Sequence, residues 1–129
     1  MMKHDDRETI EALKAELNFI EKGGYGRSVK SPLTPTSIFQ DSPICLNYAD
    51  VERPYPCADC LLFEFVPTSG RNRAVPCHHI ALNKAGDTID ELEWDQDQHG
   101  LEAEVKDWLR STIRTLEQER AKKFVSWIT

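Results

Sequence analysis

Residues 54–67, PYPCADCLLFEFVP, place two cysteines three positions apart directly before an apolar segment. Apart from Glu64, the segment 61–66 is aromatic and aliphatic, and Pro67 follows it, which predicts a β-strand that ends at the proline. The paired cysteines, Cys57 and Cys60, can hold a metal ion, exchange electrons or fill a core. Both the fold and the site depend on which of these roles they have.

Turn signals and short apolar segments surround this stretch. Three of the segments have the composition of strands: SIFQ at 37–40, ICLNY at 44–48 and VPCHHIALN at 75–83. The segment 75–83 is joined to the predicted strand 61–66 by a polar, glycine-containing turn, so we expect these two strands to pair antiparallel. Thr88 and Glu91 resemble a capping box, which predicts a short helix over 89–95, although a return strand through residues 88–89 also fits.

Helices are predicted on both sides of this sheet. Residues 6–22 carry apolar side chains at helical spacing, and 23–36 is a linker of mixed glycine, proline and serine. Residues 101–128 contain no proline or glycine and have a broad apolar face, which predicts a long C-terminal helix. The sequence favours an α+β fold in a single domain, 1–129. A small antiparallel sheet over 37–90, with a Cys-rich metal site, is flanked by the two helices.

Composition and charge narrow the class of protein. The chain of 129 residues is 40% hydrophobic and 29% charged, as in ordinary globular domains. It has no apolar run close to the roughly 18 residues of a membrane span, and its acidic, helical start does not resemble a signal peptide. We therefore expect a cytoplasmic protein with reduced cysteines and no membrane contact. The net charge of −6 argues against a dedicated nucleic-acid binder.

The cysteines have the spacing Cys-x11-Cys-x2-Cys-x16-Cys-His-His, from Cys45 to His79. Structural zinc takes four thiolate or imidazole ligands in a tetrahedron, and a Cys-x2-Cys pair supplies two of them from one turn. Two ligand sets fit. We favour the set that uses every cysteine in the chain: Cys45, Cys57, Cys60 and Cys77. The second set replaces Cys45 with His79, which alternation along a strand places on the same face as Cys77.

Other roles for the cysteines have to be weighed against zinc. A thioredoxin-like redox pair needs a helix N-terminus after the first cysteine, but a strand is predicted there. The spacing matches neither the plant-type nor the bacterial iron–sulfur pattern. Ordinary buried core thiols, with the histidines hydrogen-bonded nearby, remain a simple alternative.

The function expected from these features is a non-enzymatic, zinc-stabilised cytoplasmic interaction or regulatory domain. A protein partner would bind the helices or the acidic strip around Trp94. The distal part of the C-terminal helix covers either the first helix or a second copy of the chain, which would form a homodimer. The alternative function is a small metal-dependent or thiol-using enzyme centred on the cysteine and histidine cluster: Cys57, Cys60, Cys77 and His79.

Overall fold

The computed structural model describes residues 5–26, 37–48, 50, 52–94 and 98–128, with side chains as far as Lys123. This part of the chain contains three α-helices: α1 (Asp6–Glu21), α2 (Ile89–Glu93) and α3 (Gln98–Ile128). Between α1 and α2 it contains four short 3-10 helices: Cys57–Asp59, Leu61–Phe65, Thr68–Gly70 and Pro76–His79. Most of the predicted linker, residues 27–36, lies outside the described residues.

The described residues contain no β-strand, so the predicted α+β fold with a sheet over 37–90 is wrong, and the chain is helical. Leu62 and Val66 are both buried while Glu64 between them is exposed, whereas an alternating strand would place all three side chains on one face. Single extended residues such as Cys60 (φ −78°, ψ 140°) connect one 3-10 turn to the next. The prolines of this region lack the N–H group that a sheet ladder needs, which favours this irregular path.

Helices α1 and α3 pack side by side in opposite directions. Three ion pairs show the order: Glu21 with Arg110 at 3.2 Å, Lys14 with Glu117 at 3.0 Å, and Asp6 with Lys123 at 3.0 Å. As the residue number rises along α1 it falls along α3, so the helices are antiparallel. Residues 110–123 of α3 therefore lie along α1. The side chains of residues 124–128, the distal part for which either α1 or a second copy was predicted as partner, lie outside the described residues.

The core lies between these helices and the irregular segment. Its α1 and α3 side chains recur every three, four or seven residues and are buried: Ile10, Leu13, Ile20, Leu101, Val105, Leu109 and Ile113. Trp108 connects them to the irregular segment, since its ring meets Phe65 edge-on with centroids 5.4 Å apart. Among the described helices, none has the length and apolar composition of a membrane span.

Helix α2 decides between the two structures predicted after residue 87, a short helix and a return strand. The Thr88 side chain accepts a hydrogen bond from the Glu91 backbone N–H at 3.2 Å, and the Thr88 hydroxyl donates to the Glu91 carboxylate at 3.2 Å. The first bond is the Thr88 half of the predicted capping box and satisfies one N–H group that a helix start leaves unpaired, while the Glu91 carboxylate accepts from the Thr88 hydroxyl rather than from its backbone N–H. The residues form a short helix, and the return strand is wrong.

Candidate functional site

All four cysteines of the chain line one small cavity, of about 30 Å³. They reach it from three separate segments of the irregular region, and none of them is in a disulfide. Apolar and proline side chains supply most of the remaining wall, including Phe39, Leu62 and Phe63. We refer to this space, with the four thiols around it, as the cysteine cavity.

The Cys57–Cys60 pair is positioned by a single tight turn. The Cys60 N–H donates to the Cys57 carbonyl at 3.0 Å, and the Asp59 N–H donates to the Pro56 carbonyl at 3.0 Å. Pro56 is extended (φ −69°, ψ 145°) and directs the chain into the turn. Both thiols of the pair reach the cavity from this one turn, although Cys57 is exposed and Cys60 is half-buried.

Cys45 is brought to the same place by a closed loop. The Asn47 side chain donates to the Tyr55 carbonyl at 2.8 Å and accepts from the Tyr55 N–H at 2.9 Å. This bidentate bond closes the chain between residues 47 and 55, so that Cys45 lies beside the turn that carries Cys57. Asn47 is itself buried, which makes the bond costly to break because its amide would lose its partners.

Cys77 is held through the residue that follows it. His78 is buried, and its Nε2 lies 2.7 Å from the Ile38 carbonyl while its Nδ1 lies 3.6 Å from the Glu93 carboxylate. The imidazole therefore fixes the 3-10 helix Pro76–His79 against the loop before Phe39 and against α2. His78 is thus a structural residue that positions Cys77.

His79 is the one predicted ligand that the structure leaves out of the cavity. Its side chain packs on Gly70 instead: a Cβ placed on that glycine would lie 2.7 Å from the His79 Cβ. The structure therefore brings Cys45, Cys57, Cys60 and Cys77 together and places His79 elsewhere.

Burial and mutual repulsion keep the inner thiols protonated. Burial raises the pKa of Cys77, and the neighbouring cysteines raise it further because a thiolate there would face other negative groups. Burial also raises the pKa of Cys60, with smaller contributions from Cys45 and Cys57. Gathering several thiolates in this cavity therefore requires positive charge.

Within the described ranges, no group of three or more His, Cys, Asp or Glu side chains is arranged so that it could hold a metal ion. The predicted fold included a formed Cys-rich metal site, and that part of the prediction is wrong for this structure. The physical reason is that neutral thiols do not attract one another. Their positions around the cavity are set by the turns that carry them and by apolar packing.

Residues that sequence reasoning missed complete the cavity wall. Asn47 closes the loop that carries Cys45, and Arg53 directs its guanidinium at the Cys45 sulfur, with Nη2 and Sγ 3.9 Å apart. Neither has a local sequence signal, because their roles depend on which segments meet in the fold.

Trp94, the predicted contact residue, is 82% exposed. Part of the acidic strip beside it, residues 95–97, lies outside the described residues.

Comparison with known proteins does not assign the chain to a class. No protein-family model matches it. No curated protein and no solved structure matches it either. The functional argument therefore depends on the residues themselves.

Proposed function

We propose that this protein is a non-enzymatic, zinc-stabilised domain of the cytoplasm in which the cysteine cavity takes up one structural Zn²⁺. The observation that carries the proposal is that every cysteine of the chain, from three separate segments, lines the same small space. Four free thiols are the ligand set of structural zinc, and soft sulfur donors favour zinc over magnesium or calcium.

Zinc binding requires the four sulfur atoms to move closer to one another. Zn–S bonds of about 2.3 Å in a tetrahedron place the sulfurs about 3.8 Å apart. The segments that carry the cysteines are turns and 3-10 helices, without a sheet ladder that would resist such a shift. The ion would also supply the positive charge that four thiolates need, so that metal binding and folding of the irregular region become coupled.

An interaction role is supported by apolar side chains beside the cavity. Leu46, Tyr48 and Tyr55 are 44%, 46% and 55% exposed, and the bond between Asn47 and Tyr55 holds them near one another. Exposed tyrosines are typical of protein contact surfaces. In this proposal zinc fixes the loop that presents these side chains to a protein partner.

The enzyme alternative has weaker support from the same cavity. A thiol nucleophile or redox pair needs a lowered pKa, whereas burial raises the pKa of Cys60 and of Cys77. A catalytic zinc would keep one open position for water, and a site filled by four thiolates has none.

The proposal is tested by metal content. Reduced protein is incubated with excess zinc, desalted and analysed for zinc per chain, together with the variants C60S, C77S and H79Q. We expect about one zinc in the wild type and in H79Q, and a loss of most of it in both serine variants, because each removes a thiolate ligand.

H79Q is the matched control, since it alters the residue of the second predicted ligand set without touching the cavity. Circular dichroism of each metal-free variant separates loss of a ligand from loss of fold. A wild-type protein that retains no zinc after desalting would refute the proposal. Loss of zinc in H79Q equal to that in C77S would replace the four-cysteine set with the set that contains His79.

A further inference from the structure

The cysteine cavity has one charged residue in its wall. Of the described residues that line it, Arg53 alone carries a charge, and all the others are cysteines or neutral side chains. Its Nη2 lies 3.9 Å from the Cys45 Sγ. A guanidinium is a permanent positive charge in proteins, and here it lies beside a thiol.

The backbone at this position is also unusual. Arg53 has φ +46°, in the left-handed region that favours glycine. Phe39, with φ +69°, is the only other non-glycine residue in the described segments with a positive φ, and it lines the same cavity. Such conformations cost free energy and cluster at functional sites, where the surrounding structure maintains them.

The charge of a filled site indicates what Arg53 does. Four thiolates and one Zn²⁺ carry a net charge of −2, in a cavity whose described walls are neutral apart from Arg53. An excess of negative charge in a partly buried site is unfavourable unless a counter-charge lies close by. Groups that contact the ligands from outside stabilise metal sites in this way.

We propose that Arg53 is a positioning residue for this zinc site, which donates to the Cys45 sulfur and offsets the negative charge of the zinc–thiolate centre. This inference rests on the proposed function. Its consequence is that Arg53 strengthens zinc binding through its charge, without being a ligand.

The test is the zinc affinity of the full, reduced chain, measured by competition with a chromophoric chelator. We expect Arg53→Gln to weaken zinc binding by about 10-fold to 100-fold, the usual effect of removing an outer-shell partner. Arg53→Lys, which keeps the charge but not the planar fork, should recover part of that loss. Arg73→Gln is the control, because Arg73 is exposed and does not line the cavity.

Two further readouts separate a charge effect from a change of fold. The ratio of wild-type to R53Q affinity should shrink as the salt concentration rises, because salt screens a partly exposed charge. With Co²⁺ as probe, the sulfur-to-metal charge-transfer bands of R53Q should keep the wild-type pattern, since the ligands are unchanged. If R53Q does not fold, R53K and the salt dependence of the wild type decide the question.

The outcomes distinguish the two proposals. A wild type that binds no zinc overturns both. A wild type that binds zinc and an R53Q variant of equal affinity overturns only the role of Arg53. Equal loss of zinc affinity in R53Q and R73Q would also overturn the role of Arg53, because the effect would then come from the overall charge of the protein.

Discussion

Glu16 is a buried carboxyl group that joins three segments of the chain, with only 2% of its surface exposed. It accepts a hydrogen bond from the Tyr25 hydroxyl at 2.5 Å and another from the Ser42 hydroxyl at 2.6 Å. The Tyr25 oxygen in turn accepts from the Phe39 N–H at 2.7 Å. This network ties α1 to the loop whose Phe39 lines the cysteine cavity.

Burial raises the pKa of Glu16 above its ordinary value of 4.5, against the two hydroxyl donors, which lower it. The folded state therefore favours the protonated carboxyl. The contribution of this protonated carboxyl to the free energy of unfolding is complete below pH 4.5 and is lost as the pH rises through the folded-state pKa of Glu16. The free energy of unfolding of the wild type, relative to E16Q, should decrease over that range by at most about 1.4 kcal/mol per pH unit, because one proton is involved. Urea denaturation of both proteins at a series of pH values measures this difference in the free energy of unfolding.

Glu11 provides the matched control, because it lies on the exposed face of the same helix. E11Q removes one negative charge from the same helix without touching the buried network, so a pH dependence shared by E16Q and E11Q would come from the overall charge. If the wild type instead gained stability relative to E16Q as the pH rose, the hydrogen bonds to the carboxylate would outweigh its burial.

Residue-scale features of this kind were only partly readable from the sequence. Glu16 lies near Leu13 and Ile20 on the apolar stripe of α1, which hints at burial. Its partner Ser42 is 26 positions away, and no periodicity in the sequence connects the two. Arg53 and Asn47 were missed for the same reason.

At the scale of elements, the antiparallel pair of α1 and α3 carries most of the regular structure. Leu13 is fully buried between the helices, while its neighbour Lys14 lies in solvent and pairs with Glu117. Burial of apolar area gives most of the stability of such a pair, and exposed ion pairs give little. The ion pairs instead fix which residues of α1 lie opposite which residues of α3.

Two adjacent substitutions separate these effects. Leu13→Ala should lower the free energy of unfolding by about 2–5 kcal/mol, because it leaves a cavity in the core. Lys14→Ala should change it little, since the salt bridge with Glu117 is exposed and screened. Thermal and urea denaturation of both variants measure the contrast.

Lys14→Ala also serves as the control for a change of helix propensity, because both variants introduce alanine at neighbouring positions. Equal destabilisation by the two variants would mean that the helix pair depends on charge rather than on apolar packing.

The helices were predictable and the irregular segment was not, for a physical reason. Helical spacing over 16 or more residues gives a repeated signal, as in α1 and α3. The apolar run 61–66 is too short for its period to distinguish a strand from consecutive turns. Pro67 was interpreted as the end of a strand, whereas the structure has a 3-10 helix before it (Leu61–Phe65) and another after it (Thr68–Gly70).

At the scale of the molecule, the irregular segment brings distant parts of the chain together at the cysteine cavity. Cys45 and Cys77 are 32 positions apart, and both line it. The sequence indicated these residues because four cysteines in such a chain suggest one shared ligand. It could not indicate how they meet, since the predicted sheet is absent from the described residues and turns position the thiols instead.

X-ray absorption at the zinc edge, on reduced and zinc-loaded full-length protein, tests this account most directly. Four thiolates from the cysteine cavity predict a first shell of about four sulfur atoms at about 2.3 Å, with no nitrogen or oxygen ligand. A shell with imidazole or water in place of sulfur, or protein that holds no zinc after desalting, would contradict it.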